Sequence, residues 1–535
     1  MAYVGQIAPI PLGNMGLKTD DSMTNLPPNS AIKANNVRFT YSRLEKSGGS
    51  RKLNSSAFDA GVVGVSEWVP SAGLQRTIAV TSNGKVYRDT GSGTFNSNTA
   101  IATLTGTLDQ DVCFAAGGAE ASGNNRKLFI FTNSLNQIQV LDGDGTSLSA
   151  IDHPSADWSA SNYPTFGLIY QNRLAVLRGH NLYFSTTTDH EKFDGTSTEC
   201  PIFSIFPGEG EGLVSAINYK GTLFLFKKPY GVYYIQTNGS ASPADWSVER
   251  MSDSFGAASP HCAIQMLDDL VVANSSGSIT SLRATQAFGG LENGDILSNA
   301  QIEQYVKSQL TAPGISKTHA LWYPEKKIAL FTGRSLGAVK QDRMLVVDVT
   351  KQNPKFSIET KDQPTCLGLR KDSNNIPRPI YGSATGFVYI WDDSSYRVGD
   401  STSYIGEFQT PYIDFAYLDP SLGNKTKLFD ALAVHFVGTG SWNFYIDVYI
   451  DNRFSETLTF GQDAGSALDS FVLDTDVLSV EYTQQNRKPL HGSGERISFR
   501  IYNNVVNQYF KIEKLTVSFR VGAEQQKATS GVFSL

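Results

Sequence analysis

RLAVLRGHNLYFSTTTD, residues 173–189, reads as two short strands around a tight reversal. Leu174 and Val176, then Leu182 and Phe184, alternate with other residues, the period-two pattern of a strand with a covered face. Gly179-His180-Asn181 supplies the turn. A lone hairpin is marginal in water, so the weight of this one lies in its recurrence. The pattern returns in TIAVTSNGKVYRDT (77–90), where Asn83-Gly84 is a strong hairpin signal, and in KLFIFTNSLNQIQVLDGDG (127–145). It follows again in TLFLFKKPYGVYYIQTNG (222–239) and DLVVANSSGSITSLRAT (269–285). KIALFTG and DRMLVVDVT, within 327–350, repeat it around a longer loop, and PIYGSATGFVYIWDD (379–393) ends the series.

The first aliphatic residue of each second strand is Val86, Ile138, Leu182, Val232, Ile279, Leu345 and Val388, at intervals of 52, 44, 50, 47, 66 and 43 residues. Periods near 40–50 residues in an all-β chain mark propeller blades, whereas a solenoid coil is about half that length or less. One blade has two apolar faces and covers neither, so blades stack face to face in a closed ring. The expected fold is all-β: a β-propeller of about seven blades over 57–404, with an N-terminal extended arm and a C-terminal antiparallel β-sandwich domain.

The 66-residue interval holds a helix expected at 296–310, ILSNAQIEQYVKSQL. Ser298 and Gln301 have capping-box spacing, Ile302, Tyr305, Val306 and Leu310 form one stripe, and Pro313-Gly314 stops it. Its stripe serves either packing on the propeller or contact with a neighbouring subunit. Beyond residue 405, LFDALAVHFVGTGSWNFYIDVYIDN (428–452), RISFRIYNN (496–504) and FKIEKLTVSFRV (510–521) alternate as antiparallel strands, which places the sandwich at 405–535. Pro, Asn and Gly dominate residues 1–56, read as an extended arm and assembly segment that partners order.

Net charge is −6, from 45 basic and 51 acidic residues, so no general grip on phosphate is written into the chain. Cys113, Cys200, Cys262 and Cys366 are scattered without a CxxC, the pattern of reduced, buried thiols in a protein made in a cytoplasm. The start, MAYVGQIAPIPLG, lacks the basic region of a signal peptide, and no apolar run approaches the ~20 residues that span a bilayer.

The search for chemistry yields no catalytic, cofactor or metal site. The seven histidines never fall at HxH or HxxxH spacing, and His261-Cys262 has no companion ligand nearby. Asp142 and Asp144 have the spacing that begins a calcium loop, but the further ligands are missing. There is no GxSxG, and the glycosidase Asp-box S-x-D-x-G-x-T-W is nowhere intact. GEGEG (208–212) has the wrong charge for a phosphate loop. NNRK (124–127) and FKK (226–228) are short basic pairs of the kind found in solvated turns. The expectation is a protein that is not an enzyme.

LPPNSAIKANNVRFTYSRLEKSGG (26–49) is more specific. It resembles the segment that opens tail hub or nozzle proteins of short-tailed double-stranded DNA bacteriophages, including packaged-DNA stabilisation proteins. There a Leu-Pro-x-Asn piece leads to an Asn-Val-Arg/Phe strand, then Leu-x-Lys and a Gly. The matching positions are Leu26, Pro27, Pro28, Asn29, Asn36, Val37, Arg38, Phe39, Leu44, Lys46 and Gly48. Ser47 stands where that pattern usually has Arg. Weaker likenesses follow in order at 254–282, at the helix 296–310 and at 406–415. The resemblance implies a virion protein assembled in the host cytoplasm: a homo-hexameric tail nozzle below the portal and adaptor. Such a ring is a conduit and seal for genomic DNA, passing duplex without reading its sequence, and a platform for tail fibres or spikes. It also marks the matched positions, with Ile302, Tyr305 and Val306, as assembly residues. Two other classes remain open, a receptor- or glycan-binding propeller, for which Tyr233-Tyr234 or Trp322-Tyr323 could stack on sugars, and a glycan-cleaving enzyme on the same scaffold.

Overall fold

A computed structural model describes the chain except for residues 1–4, 14, 41–42, 72, 92–93, 96–98, 110–111, 118–125, 144–146, 284–300, 310–314, 351–353, 439–441, 463–481 and 522–535. It divides into two units, one of 48–354 with 358–402, the other of 1–47, 355–357 and 403–535.

In the first unit the opening stretch forms strands Arg173–Arg178 and Asn181–Phe184, with Gly179 at φ +58° in the turn between them. Leu174, Val176, Leu182 and Phe184 are all buried. Each such side chain contributes about 1.5–3 kcal/mol relative to exposure. These strands are the middle pair of blade C, flanked by Phe166–Tyr170 and Ile202–Ser204. Blade A comprises Val62–Ser71, Leu74–Thr81, Lys85–Arg88 and Ala102–Thr103. Blade B comprises Cys113–Gly117, Lys127–Phe131, Gln139–Leu141 and Ser149–Ala150. Blade D comprises Leu213–Tyr219, Thr222–Lys227, Val232–Gln236 and Ser247–Ser252.

Blade E has three strands among the described residues, Ala263–Met266, Asp269–Ala273 and Ile279–Ser281. Blade F runs through Ala320–Tyr323, Ile328–Gly333, Arg343–Asp348 and Lys355–Glu359. Blade G takes Pro364–Lys371, Pro377–Ser383 and Val388–Asp393 from one end of the unit and Gly49–Lys52 from the other. Among the described residues the propeller therefore has six four-stranded blades rather than the expected seven or so, blade F being the first part of a nine-stranded sheet, and the hairpin at 269–285 lies in the three-stranded sheet. The first strand of each sheet contacts the first strand of the next, and Pro364–Lys371 returns to Val62–Ser71, which closes the ring. All seven anchor residues from Val86 to Val388 are buried.

The clasp at Gly49–Lys52 explains one glycine. A Cβ on Gly48 would collide with the Asp392 carboxylate and the Asp393 carbonyl, so the chain approaches blade G there only without a side chain.

The second unit is a sandwich. One sheet orders Val37–Arg38, Leu44–Lys46, Lys511–Val521, Lys427–Gly438 and Tyr482–Pro489, with Gln6–Ile10 added to Lys511–Val521 and Ser493–Gly494 to Lys427–Gly438. The other run orders Lys33–Asn35, Gly406–Gln409, Ile497–Asn503, Trp442–Ile450 and Arg453–Gln462. Phe436 meets Phe444 across the core at 5.2 Å between ring centroids.

The segment expected as one arm, 1–56, is split between the units: residues up to 47 build the sandwich, and 49–52 close the propeller. Nor is it poor in core residues, since Ala8, Ile10, Leu12, Leu17, Leu26, Val37, Phe39 and Leu44 are all buried within this chain. Their partners lie hundreds of positions away, so local composition conceals them.

Candidate functional site

The first strand of each sheet begins on the same side of the ring, so the residues that start or precede these strands surround the axis. Two cavities of about 340 Å3 each lie there. Val62, Val112, Thr165, Leu213, Pro260 and Thr365 line them, each at or just before the start of a first strand. Leu108 and Asp109 belong to both, so the two are lobes of one depression at the axial mouth.

The lobes differ in chemistry. Beside blades B and C the wall offers hydroxyls from Thr107, Ser134 and Thr165 and an amide from Asn133. The other lobe holds Lys317, Arg334 and Lys340. Lys317 Nζ lies 3.1 Å from Asp109 Oδ2. Arg334 donates from Nη1 to the Val339 carbonyl at 3.0 Å, and neither Arg334 nor Lys340 has a carboxylate partner among the described residues. The long loop between the two middle strands of blade F carries both cations. It is fixed by Ser335, whose amide donates to Asp342 Oδ1 at 2.7 Å and whose hydroxyl binds the other carboxylate oxygen. Leu336 and Val339 stand 77% and 83% exposed on it, a high value for aliphatic side chains in an ordered loop.

Under this mouth the His261 and His319 rings stack at 4.2 Å. His261 Nε2 is 3.0 Å from the Val112 carbonyl and 3.3 Å from Cys113 Sγ. The carbonyl requires a proton on Nε2, which leaves that nitrogen unable to take one from the thiol. The pair is thus arranged for packing rather than for generating a thiolate. Burial raises the Cys262 thiol and pushes that of Cys366 up to about 12, and all four cysteines are free and buried. Among the described residues no three His, Cys, Asp or Glu side chains gather as metal ligands. Asp144 lies outside them, and Asp142 is 3.9 Å from Lys127 Nζ.

A second charged cluster is buried between blades F and G. Lys361 lies between Glu359 and Asp362, 2.7 Å from the latter, and all three side chains are 0–1% exposed. Trp391 donates to Glu359 Oε2 at 2.6 Å and Tyr381 to Asp362 Oδ1 at 2.7 Å. Burial by itself would lower the Lys361 ammonium, but the two carboxylates raise it above its ordinary value. This cluster is closed to solvent.

The residues matched at 26–49 are largely interior. Leu26, Asn36, Val37, Arg38, Phe39, Leu44 and Lys46 are buried in the sandwich unit, while Pro27, Pro28 and Asn29 are half-buried. Asn36 donates to the Ile405 carbonyl at 2.7 Å. The Lys46 ammonium reaches Asn503 Oδ1 at 3.1 Å and the Gln508 carbonyl at 3.0 Å, over the ring of Tyr404 at 4.4 Å. The neighbouring Asn35 donates to Glu407 Oε1 at 2.8 Å, and Arg500 holds the other Glu407 oxygen at 2.9 Å. The matched segment thus knits the beginning of the chain into both sheets.

Glu303–Gln309 is the described part of the expected helix; Ser298 and Leu310 lie outside the described residues. Ile302 and Val306 are buried within the propeller unit, and the Tyr305 hydroxyl accepts from Arg343 Nη1 at 3.1 Å. Tyr233 and Tyr323 are buried in blade packing, while their neighbours Tyr234 and Trp322 are half-buried. Sequence reasoning singled out neither Arg334 nor Lys340. The only signal was the unusual length of their loop.

No family model and no curated protein matches this chain. Among solved structures it is similar to the computationally designed Ika8 protein, at 13% identity over 64% of this chain and 99% of that one, with a TM-score of 0.32. It is also similar to the extracellular domain of a hybrid two-component system of B. thetaiotaomicron, at 12% identity and a TM-score of 0.41, covering 82% of this chain and 52% of that one. Neither likeness carries an argument about function.

Proposed function

We propose that this chain is a non-enzymatic structural protein of a short-tailed phage tail, a nozzle or hub that assembles as a ring, in the first instance a hexamer, below the portal and adaptor. The observation that supports it is the segment 26–49. Its resemblance to the opening of such proteins falls on residues with demanding internal roles: a buried lysine capped by carbonyls, an asparagine pinning residue 405, a glycine at the clasp. A chance surface string would carry no such constraints. A closed propeller also leaves only short edges, which suits a part that resists genome pressure. DNA would pass through the centre of the ring of subunits, and a slightly acidic wall would let phosphates slide rather than bind. Negative-stain microscopy and native mass spectrometry of the full chain, alone and with its portal and adaptor, test this. Six-fold rings with an open centre are expected, and a monomer at every concentration and with every tail protein would end the reading.

A second reading is a binding propeller of the same tail, in which the molecule recognises a host-surface ligand. It is supported by the axial mouth, a concave, preformed cavity where Arg334 and Lys340 have no carboxylate partner among the described residues.

A further inference from the structure

We infer that the axial mouth is a binding site for a sugar bearing an anionic group, with a carboxylated sugar as the ligand. The inference rests on the binding reading and does not depend on the conduit. Its starting point is the division of one depression into two lobes of opposite character, joined at Leu108 and Asp109. Apart from Asp109, which pairs with Lys317, the lobe beside blades B and C presents short neutral donors and acceptors. Threonine, serine and asparagine side chains suit a body rich in hydroxyls, which both donates and accepts. The other lobe presents Arg334 and Lys340. A guanidinium has five N–H donors, and the Val339 carbonyl occupies Nη1 alone. Its planar fork matches a carboxylate in two-point contact, and an ammonium beside it adds charge without directional demand.

Size and preorganisation agree. Each lobe, at about 340 Å3, falls in the range of small-ligand sites. Asp342 and the Val339 carbonyl hold the loop before any ligand arrives, so little ordering cost remains on binding. Val339, which lines the cationic lobe, supplies an apolar edge for the C–H face of a ring. A bare anion would leave the hydroxyl lobe and this edge unused. A neutral sugar would leave both cations unpaired.

The test is titration calorimetry on the full chain with four probes: 3′-sialyllactose, lactose, glucose 6-phosphate and inorganic phosphate. Sialyllactose is expected to bind at least about tenfold more tightly than lactose, with affinity falling as salt rises. Replacing Arg334 and Lys340 together by alanine should remove that tenfold preference. Lys340→Glu is the second variant, and melting curves for both must match the parent. Thr107→Val should weaken sialyllactose about threefold without touching its preference over lactose. Equal binding of lactose and sialyllactose, retention of the preference in the double variant, or no binding of any sugar at 10-millimolar order overturns the proposal, and so does inorganic phosphate binding as tightly as sialyllactose. Glucose 6-phosphate binding above sialyllactose overturns the choice of carboxylate. The same samples are imaged: rings without sugar binding would leave the nozzle standing and remove this site, and binding without rings would do the reverse.

Discussion

Lys361 and Lys340 belong to one propeller unit, and their surroundings differ at every point. Lys361 has no exposed side-chain surface and lies between Glu359 and Asp362, whose remaining contacts reach Trp391 and Tyr381. Lys340 is exposed beside a cavity and has no ion-pair partner among the described residues. Charge that has been satisfied inside the chain works as structure. Charge left over at a concave surface is available to something else. The sandwich repeats the first case with Lys46 and with Lys427, whose ammonium donates to the carbonyls of Leu422, Lys425 and Glu495 at 2.7–2.9 Å.

The comparison breaks most visibly at Lys361. Lys361→Met strands two buried carboxylates and should destabilise the propeller by about 3–5 kcal/mol in urea unfolding. An unchanged midpoint would show that the cluster is not closed to water. Lys46→Met leaves buried acceptors without their donor, and the expected loss is about 1–3 kcal/mol, read by the same method.

A pH test sharpens the picture in the sandwich. Burial alone would raise the Glu407 carboxyl, but hydrogen bonds from Asn35 and Arg500, with the guanidinium charge, bring it below its ordinary value of 4.5. A depressed carboxyl contributes stability that is present above the unfolded value and lost as pH falls through the folded one. The hydrogen-exchange protection of Gly406–Gln409 and Ile497–Asn503, taken against the intrinsic rate at each pH, should therefore fall as pH drops below about 4.5, and Glu407→Gln should flatten that dependence. The smallest effect is expected at the mouth, where Lys340→Met should shift stability by less than about 0.5 kcal/mol. A loss comparable to that at Lys361 would mean that Lys340 is structural after all.

Much of the propeller was legible because its burial is local. Leu174, Val176, Leu182 and Phe184 show their alternation within one hairpin, and the turn at Asn83-Gly84, with Gly84 at φ +82°, announces itself by residue type. The sandwich strands after residue 427 were visible for the same reason. What stayed hidden depends on distance along the chain. Asn35 pairs with Glu407, and Lys46 with Asn503, so neither side chain's environment is encoded near it. Pro, Asn and Gly around them read as an arm. The mouth was hidden for a different cause: its lining comes from many separate connections, and a lysine in a loop looks the same whether a cavity lies beside it or open water.

The clasp at Gly49–Lys52 ties the two ends of the propeller unit through Tyr389, Ile390, Trp391 and Asp393. During synthesis the earliest strand must therefore wait, unpaired, until nearly 350 later residues have left the ribosome. A product released early keeps an open sheet edge, which invites other chains to add to it. Only a chain read through past residue 393 can give Gly49–Lys52 its partner strand and so hide both edges.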